Sequence, residues 1–304
     1  MLDSLTLDQL RVLAAVADCG SFSAAARQLG RVQSAISQSV QSLETTLGIA
    51  LFDRSARTPV LSEAGRVVLA DARQMLRGAE TLRARAESIA ADIEPELTLA
   101  VDAVFPNAVL MASLHALREA FPHVSLTLFT EQLGGVEYRL RDGSARLGIC
   151  PPMPRDTPDL EIRFLATVPA APVVAADHPL AREPAPLTRA VLERHVQLVL
   201  TDRTPLSVGF SGNVFSTQIW RFADQGRRLD FLLGGFGWCH MPRHLVDQDI
   251  AAGRLVELDI AEQRGNPFSF LLHVTHLRGR PPGRAGRWLV DDLSQRLRVC
   301  MGAA

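Results

Sequence analysis

The sequence predicts an α/β protein in three parts: a small helical domain, one long helix, and a larger domain of alternating strands and helices. Residues 21–44, SFSAAARQLGRVQSAISQSVQSLE, have the spacing of two helices around a tight turn. From Ser62 onward, apolar residues recur at alternating steps of four and three. From Leu97, short β-rich runs alternate with helical ones, the pattern of a parallel sheet with crossover helices. A chain of 304 residues is long enough for two or three domains.

Leu7–Ala17 reads as the first helix, with Leu7, Leu10, Leu13, Ala14 and Ala17 inward and Gly20 ending the turn behind it. Ser21 is an N-cap, because its hydroxyl can accept from an orphan backbone N–H one turn in. Ala24, Ala25 and Ala26 favour helix, and Leu29–Gly30 stops it, since glycine tolerates positive φ. In the next helix Ile36, Val40 and Leu43 form one buried stripe. Gln33, Ser34, Ser37, Gln38 and Gln41 occupy its other faces. Such amide and hydroxyl groups can read base edges in a major groove, although a solvated polar face has the same pattern. Phe22, Leu29, Ile36, Leu43, Leu47, Leu51 and Phe52 are expected to complete the small core.

The long helix opens at Ser62, with Glu63 in the first turn where the macrodipole favours an anion. Val68, Ala72, Met75, Ala79, Leu82, Ala86 and Ile89 make a heptad seam. Arg66, Arg73, Arg77, Arg83, Arg85, Glu80 and Glu87 surround it, so the apolar face is narrow and suits a partner helix. Glu94–Pro95 ends the run. Beyond it, LTLAVDAV reads as a strand, Pro106–Ala120 as a helix, Val124–Phe129 as a strand, Gly135–Arg141 as a helix and Arg146–Cys150 as a strand. Val168–Ala175 and Val196–Leu200 read as strands, the surroundings of Ile219–Phe222 as a helix, and Phe268–His276 as a strand. Arg287–Leu297 closes the chain as a helix with Trp288, Leu289, Leu293 and Leu297 inward.

Composition narrows the function. Hydrophobic residues make up 47% and net charge is −1, without an apolar run long enough to span a bilayer. The N-terminus has no basic region followed by a hydrophobic core, so a cytoplasmic location is expected. Residues 1–60 carry five arginines (11, 27, 31, 54, 57) against Asp3, Asp8, Asp18, Glu44 and Asp53, so if this domain binds a nucleic acid its phosphate contacts must come from local placement. Arg31 in the turn, with Arg54 and Arg57 further on, is the expected set. Cys19, Cys150, Cys239 and Cys300 are scattered without ligand spacing, which argues against a metal site or a disulfide framework. All 32 basic residues are arginine, which removes Walker, Schiff-base and Ser–Lys chemistry. No catalytic motif is present: Gly209-Phe-Ser-Gly ends in Asn213 where a nucleophile elbow needs glycine, and GGFG at Gly234–Gly237 reads as a strand-to-helix turn. His240 and His244 are expected on one helical face, without a carboxylate pattern. No enzyme activity, cofactor or metal is expected.

Leu7 to Gly65, LDQLRVLAAVADCGSFSAAARQLGRVQSAISQSVQSLETTLGIALFDRSARTPVLSEAG, resembles the N-terminal DNA-binding domain of LysR-type transcriptional regulators in unbroken order. The resemblance implies a winged helix-turn-helix over residues 1–61, with Gln33–Glu44 as recognition helix and Arg54–Val60 as wing. It implies a linker and dimerisation helix over 62–93. It also implies a two-lobed effector domain of the periplasmic-binding-protein type II architecture over 94–304, with lobe 1 at 94–168 and 268–304 and lobe 2 at 169–267. Relatives often carry Ser or Thr just before the recognition helix; this chain has Val32, which cannot cap. The implied partners are promoter DNA, further copies of the chain in a homodimer or homotetramer, and an aromatic or carboxylated small molecule. DNA contacts are expected from Ser21, Arg31, Gln33, Ser34, Ser37, Gln38, Gln41, Arg54 and Arg57. Effector contacts are expected at strand ends, from Ala103, Val104, Phe105, Thr130, Cys150, Thr201, Arg203 and Phe236. A thiol switch through Cys150 and Cys239 is the alternative; a solute-binding protein of transport is more remote.

Overall fold

The computed structural model describes residues 5–53, 59–90, 93–152, 155–201, 203–207 and 213–301. The chain divides into two compact units, Met1–Ser88 and Ile89–Ala304, so the long helix groups with the N-terminal domain.

In the first unit, α1 (Leu7–Cys19) starts at a capping box: Thr6 accepts from the Gln9 N–H, and the Gln9 side chain accepts from the Thr6 N–H. α2 (Phe22–Gln28) and α3 (Gln33–Leu47) follow, then a two-stranded ribbon of β1 (Phe52–Asp53) and β2 (Val60–Leu61), then α4 (Glu63–Ala90). The inward face of α1 is broader than expected: Val12, Ala15 and Val16 are buried with Leu10 and Leu13, while Leu7 and, on α3, Leu47 are exposed. With Ala25, Ile36, Val40, Leu43, Leu51 and Phe52 these side chains form one core. Glu44 ties α3 to the ribbon, its carboxylate accepting from the N–H groups of Leu51 (2.7 Å) and Phe52 (3.3 Å). Ser62 caps α4 by accepting from the Gly65 N–H at 2.8 Å. A Cβ on Gly65 would stand 2.0 Å from the Leu51 carbonyl oxygen, so that contact requires glycine.

The second unit is a sheet shared by two lobes. Lobe 1 contains β3 (Glu96–Asp102), α5 (Asn107–Ala120), β4 (Ser125–Glu131), α6 (Gly135–Arg141) and β5 (Leu147–Cys150). β6 (Leu160–Ala175) is long enough to serve both lobes. Lobe 2 continues through α7 (Arg189–Leu192), β7 (Gln197–Leu200), β8 (Ile219–Phe222), α8 (Gln225–Leu233), β9 (Trp238–Pro242), α9 (Arg243–Ala251) and β10 (Leu255–Glu257). β11 (Ser269–Leu277) and α10 (Arg284–Met301) return to lobe 1. The strand order is β4-β3-β5-β11-β6-β9-β7-β8, with β10 beside β6. β3 pairs in parallel with β4 and β5, and β7 with β8 and β9; the crossing strands β6 and β11 run antiparallel, so the sheet is mixed. Ile219–Phe222 is a strand, not a helix, because it supplies the parallel partner of β7.

Strand alternation sets the cores. Leu97, Leu99 and Val101 face α5 and α10, packing with Leu289, Leu293 and Leu297, whereas Ala100 faces α6. Trp288 is only half-buried there. The Glu94 carboxylate accepts from the N–H groups of Ala285 (3.0 Å) and Gly286 (2.8 Å), satisfying the first turn of α10. Trp238, fully buried in lobe 2, donates its indole N–H to the Ser216 hydroxyl at 3.1 Å. Gly234–Gly237 is a helix-to-strand turn between α8 and β9, the reverse of the expected order. Gly235 there has φ +74°, and a Cβ on Gly237 would lie 2.3 Å from the Val196 carbonyl oxygen.

Candidate functional site

The first unit presents α3 as an outward face. Ser21 caps α2 by accepting from Ala24 N–H at 3.3 Å, and Gly30 turns the chain at φ +65°. Ile36, Val40 and Leu43 anchor α3 inward, leaving Gln33, Ser34, Ser37, Gln38 and Gln41 all exposed. Val32 stands at the N-cap of α3, 68% exposed and without a side-chain cap bond. Arg31 is not a bare cation: its guanidinium meets both oxygens of Asp8, at 2.7 and 2.8 Å. That pair holds the Asp8 carboxyl below its ordinary range, chiefly through the hydrogen bond. Both partners are exposed, so the bridge is weak. Arg54 and Arg57 lie outside the described residues.

α4 carries two apolar rows rather than one. Leu69 and Ala72 are buried in the core of its own domain, with Val68 and Leu76 packed against it. Met75 and Leu82, one heptad apart, are 52% and 71% exposed, and Ala86 is exposed as well. Val68 and Ala72 therefore leave the expected partner-facing seam. The side chain of Ile89 lies outside the described residues.

In the second unit a cleft of about 310 Å³ opens at the carboxyl ends of β3, β5 and β7. Lobe 1 contributes Asp102, Val104, Leu133, Pro151 and Pro152; lobe 2 contributes β7, Asn213, Arg228 and His240; Phe268 to Leu271 complete the wall. Asp102 is buried and accepts from the N–H groups of Val104 (3.0 Å) and Leu133 (3.1 Å). Desolvation raises its pKa to about 7, against those two bonds. Leu133 holds a left-handed φ of +49°, a strained conformation for leucine that its bond to Asp102 helps to fix. His240, also buried, is pushed down to about 4 by burial, and its Nε2 meets the Gln263 amide. Arg228 is 5% exposed; one nitrogen, Nη2, donates to the His240 carbonyl oxygen at 2.6 Å and to Met241 sulfur at 3.1 Å.

The effector residues expected from sequence scatter. Val104 lines this cleft, whereas Ala103, Thr130 and Arg203 line a separate recess with Gln132 and Gln225. Phe105 is in the lobe 1 core. Phe236 stacks against Trp220 and Phe231 instead of entering the cleft. Thr201 lines neither recess, and its N–H extends the β7–β8 ladder by donating to the Phe222 carbonyl at 2.8 Å. Cys150 borders a small cavity beside Glu137. His240 and His244 occupy different elements, β9 and α9. Asp102 and Arg228 were overlooked, although each carries a signal. Asp102 is the one charge inside LTLAVDAV, and Arg228 falls on the same helical face as Gln225 and Leu232.

The thiols are poorly disposed for a switch. Cys150 and Cys239 are both buried, and burial pushes both thiols up, away from the reactive thiolate. Through the sheet, Cys150 registers with His273 and hence with Phe164 of β6, whereas Cys239 registers with Val173. Nine residues along a strand correspond to roughly 30 Å. That is far beyond the reach of a disulfide.

Residues 7–66 match the model for bacterial regulatory helix-turn-helix proteins of the lysR family, and residues 90–298 match the LysR substrate binding domain. The probable HTH-type transcriptional regulator YhaJ of Escherichia coli (strain K12) is 35% identical over 257 residues, covering 83% of this chain and 85% of that protein. The HTH-type transcriptional regulator CrgA of Neisseria meningitidis serogroup B is 31% identical over 274 residues, covering 86% and 88%. Among solved structures, the Corynebacterium glutamicum OxyR C206 mutant superimposes with a TM-score of 0.61 at 22% identity, covering 98% of this chain and 96% of that one. At that identity the likeness concerns the fold. No helix among the described residues is long and apolar enough to cross a membrane.

Proposed function

This chain belongs to the lysR family of bacterial helix-turn-helix transcription regulators, and from that premise we propose that a small molecule bound in the cleft controls how it contacts promoter DNA. In this reading α3 lies in a major groove, where Gln33, Ser34, Ser37, Gln38 and Gln41 meet base edges. Ser21, Arg31, Arg54 and Arg57 serve the phosphate backbone, Arg31 by exchanging Asp8 for a phosphate. Two copies pair along Met75, Ala79, Leu82 and Ala86, so that the recognition helices meet successive turns of a two-fold-symmetric site. Pairs of dimers make the tetramer, working in the cytoplasm where the DNA is. The effector acts by binding one arrangement of subunits better than another.

The observation that carries this reading is the wholly exposed row of amides and hydroxyls on a helix whose opposite stripe is wholly buried. Selection of bound sequences from a random duplex pool tests it. We expect recovered DNA to share a two-fold-symmetric element. Gln38→Ala should bind that element about tenfold more weakly, in line with the worth of one base contact. A pool without enrichment, or a Gln38→Ala/Ser37→Ala variant with unchanged preference, would overturn it.

A further inference from the structure

Resting on that reading of the cleft, we propose that the effector is a small apolar-bodied monoanion, such as a hydroxy- or amino-substituted aromatic carboxylate, with its anionic end on Arg228 and its donor end on Asp102. The argument begins with an unbalanced charge. Arg228 is buried, yet among the described residues no carboxylate reaches it. Its Nε has no partner, and only Nη2 is bonded. A guanidinium carries five donors in a planar fork, so most of this one is unused. A buried, unpaired charge is costly to keep, and an anion entering the cleft relieves that cost. A carboxylate matches the fork better than other simple anions.

The number of charges on the ligand follows from its surroundings. His240, the other basic group of the wall, is neutral at physiological pH. Gln197 brings no charge, and its amide is largely engaged: its oxygen accepts from Phe215 (2.8 Å) and Ser216 (3.1 Å), and one of its two N–H groups donates to the Asn213 carbonyl (2.7 Å). A dianion would therefore meet one cation only. On the opposite lobe Asp102 is buried without a cation, and each oxygen accepts one N–H and has capacity for another. A hydroxyl or amine donor suits it. Arg228 and Asp102 do not pair with each other, so the two polar ends of the ligand must be separated, unlike those of an α-amino acid. Between them the wall is apolar, with Val104, Leu133, Pro151, Leu198, Phe268 and Phe270. A volume of about 310 Å³ stands at the small end of ligand sites and fits a single ring.

Thermal unfolding of the full chain tests the proposal, with 4-hydroxybenzoate, 4-aminobenzoate and 4-hydroxyphenylacetate as acids. 4-Hydroxybenzamide serves as neutral control and terephthalate as dianion. Without ligand, Arg228→Met should unfold at the wild-type midpoint or above it, since it removes an unpaired buried charge. At least one acid should raise the wild-type midpoint by several degrees in a concentration-dependent way. The amide should not, and in Arg228→Met the shift should vanish. A lowered Arg228→Met midpoint with no acid response would make Arg228 a structural tie and overturn the proposal. So would equal stabilisation by acid and amide, or a shift that survives Arg228→Met. Leu271→Trp, which narrows the cleft from a half-exposed position, separates the two claims. A shift lost in Leu271→Trp but kept in Arg228→Met leaves the cleft as effector site and removes the anion anchor. A shift kept in both removes the cleft itself.

Discussion

At the scale of single residues, the cleft holds two buried ionisable groups, an acid and a base, that do not pair with each other. For Asp102 the consequence is measurable without any ligand. Burial raises its pKa to about 7, above its value in the unfolded chain, so between those values the folded state holds the proton more tightly. Its contribution to stability is then fully present below the unfolded pKa, is lost as pH rises toward 7, and is flat beyond. At about 1.4 kcal/mol per unit of pKa difference, several kcal/mol are at stake. Asp102→Asn removes the titration while its amide oxygen can still accept from Val104 or Leu133. The fall in unfolding midpoint between pH 5 and pH 8 should be clearly smaller in Asp102→Asn than in wild type. Parallel falls in the two proteins would assign the pH dependence elsewhere. Neither residue stood out in sequence, because a lone acid in a strand and the second arginine of Arg227–Arg228 both resemble solvated charges.

At the scale of elements, most helices and strands were legible because short-range chemistry defines their ends: Ser21, Ser62 and the Gly30 turn all act as expected. Ile219–Phe222 was not, since a four-residue strand has too few residues to show a period, and its partner β7 is distant in sequence. The Val32 cap belongs to this scale. With β-region dihedrals already in place and no side-chain bond, Val32 leaves the N-cap of α3 unused, on the helix proposed to read DNA. Val32→Ser should stabilise the domain by about 1 kcal/mol. It also places a hydroxyl beside the expected path of the phosphates, so binding to the selected element should tighten. Equal or weaker binding by titration would show that the cap does not limit affinity. The heptad pattern of α4 was legible as a pattern but not as an assignment. Rows three and four residues apart lie close together on a helix, so a row packed on its own domain and a row awaiting a partner overlap in sequence. Only burial separates Leu69, Ala72 and Leu76 from Met75, Leu82 and Ala86.

At the scale of the whole molecule, that separation bears on the proposed pairing of two copies on DNA. With five arginines against five acids over residues 1–60, the domain has no net positive charge to spend on phosphates, so a single copy should bind weakly. Joining two copies makes the second half-site contact intramolecular and multiplies affinity without a new base contact. The exposed row on α4 is the apolar surface suited to that joining, framed by arginines and isolated from the domain core. Because Met75 and Leu82 are exposed, Met75→Glu/Leu82→Glu should leave the unfolding midpoint of the domain nearly unchanged. It should nevertheless move the sedimenting species toward monomer and weaken binding to a two-half-site element by at least tenfold, with binding to one half-site unaltered. An unchanged mass in sedimentation would place the subunit contact on another surface. Loss of half-site binding would instead mean that this row supports the fold. The same double variant bears on regulation. If a ligand acts by selecting among subunit arrangements, its binding to the cleft should survive in the monomer while its effect on DNA disappears, since coupling requires a second subunit to rearrange.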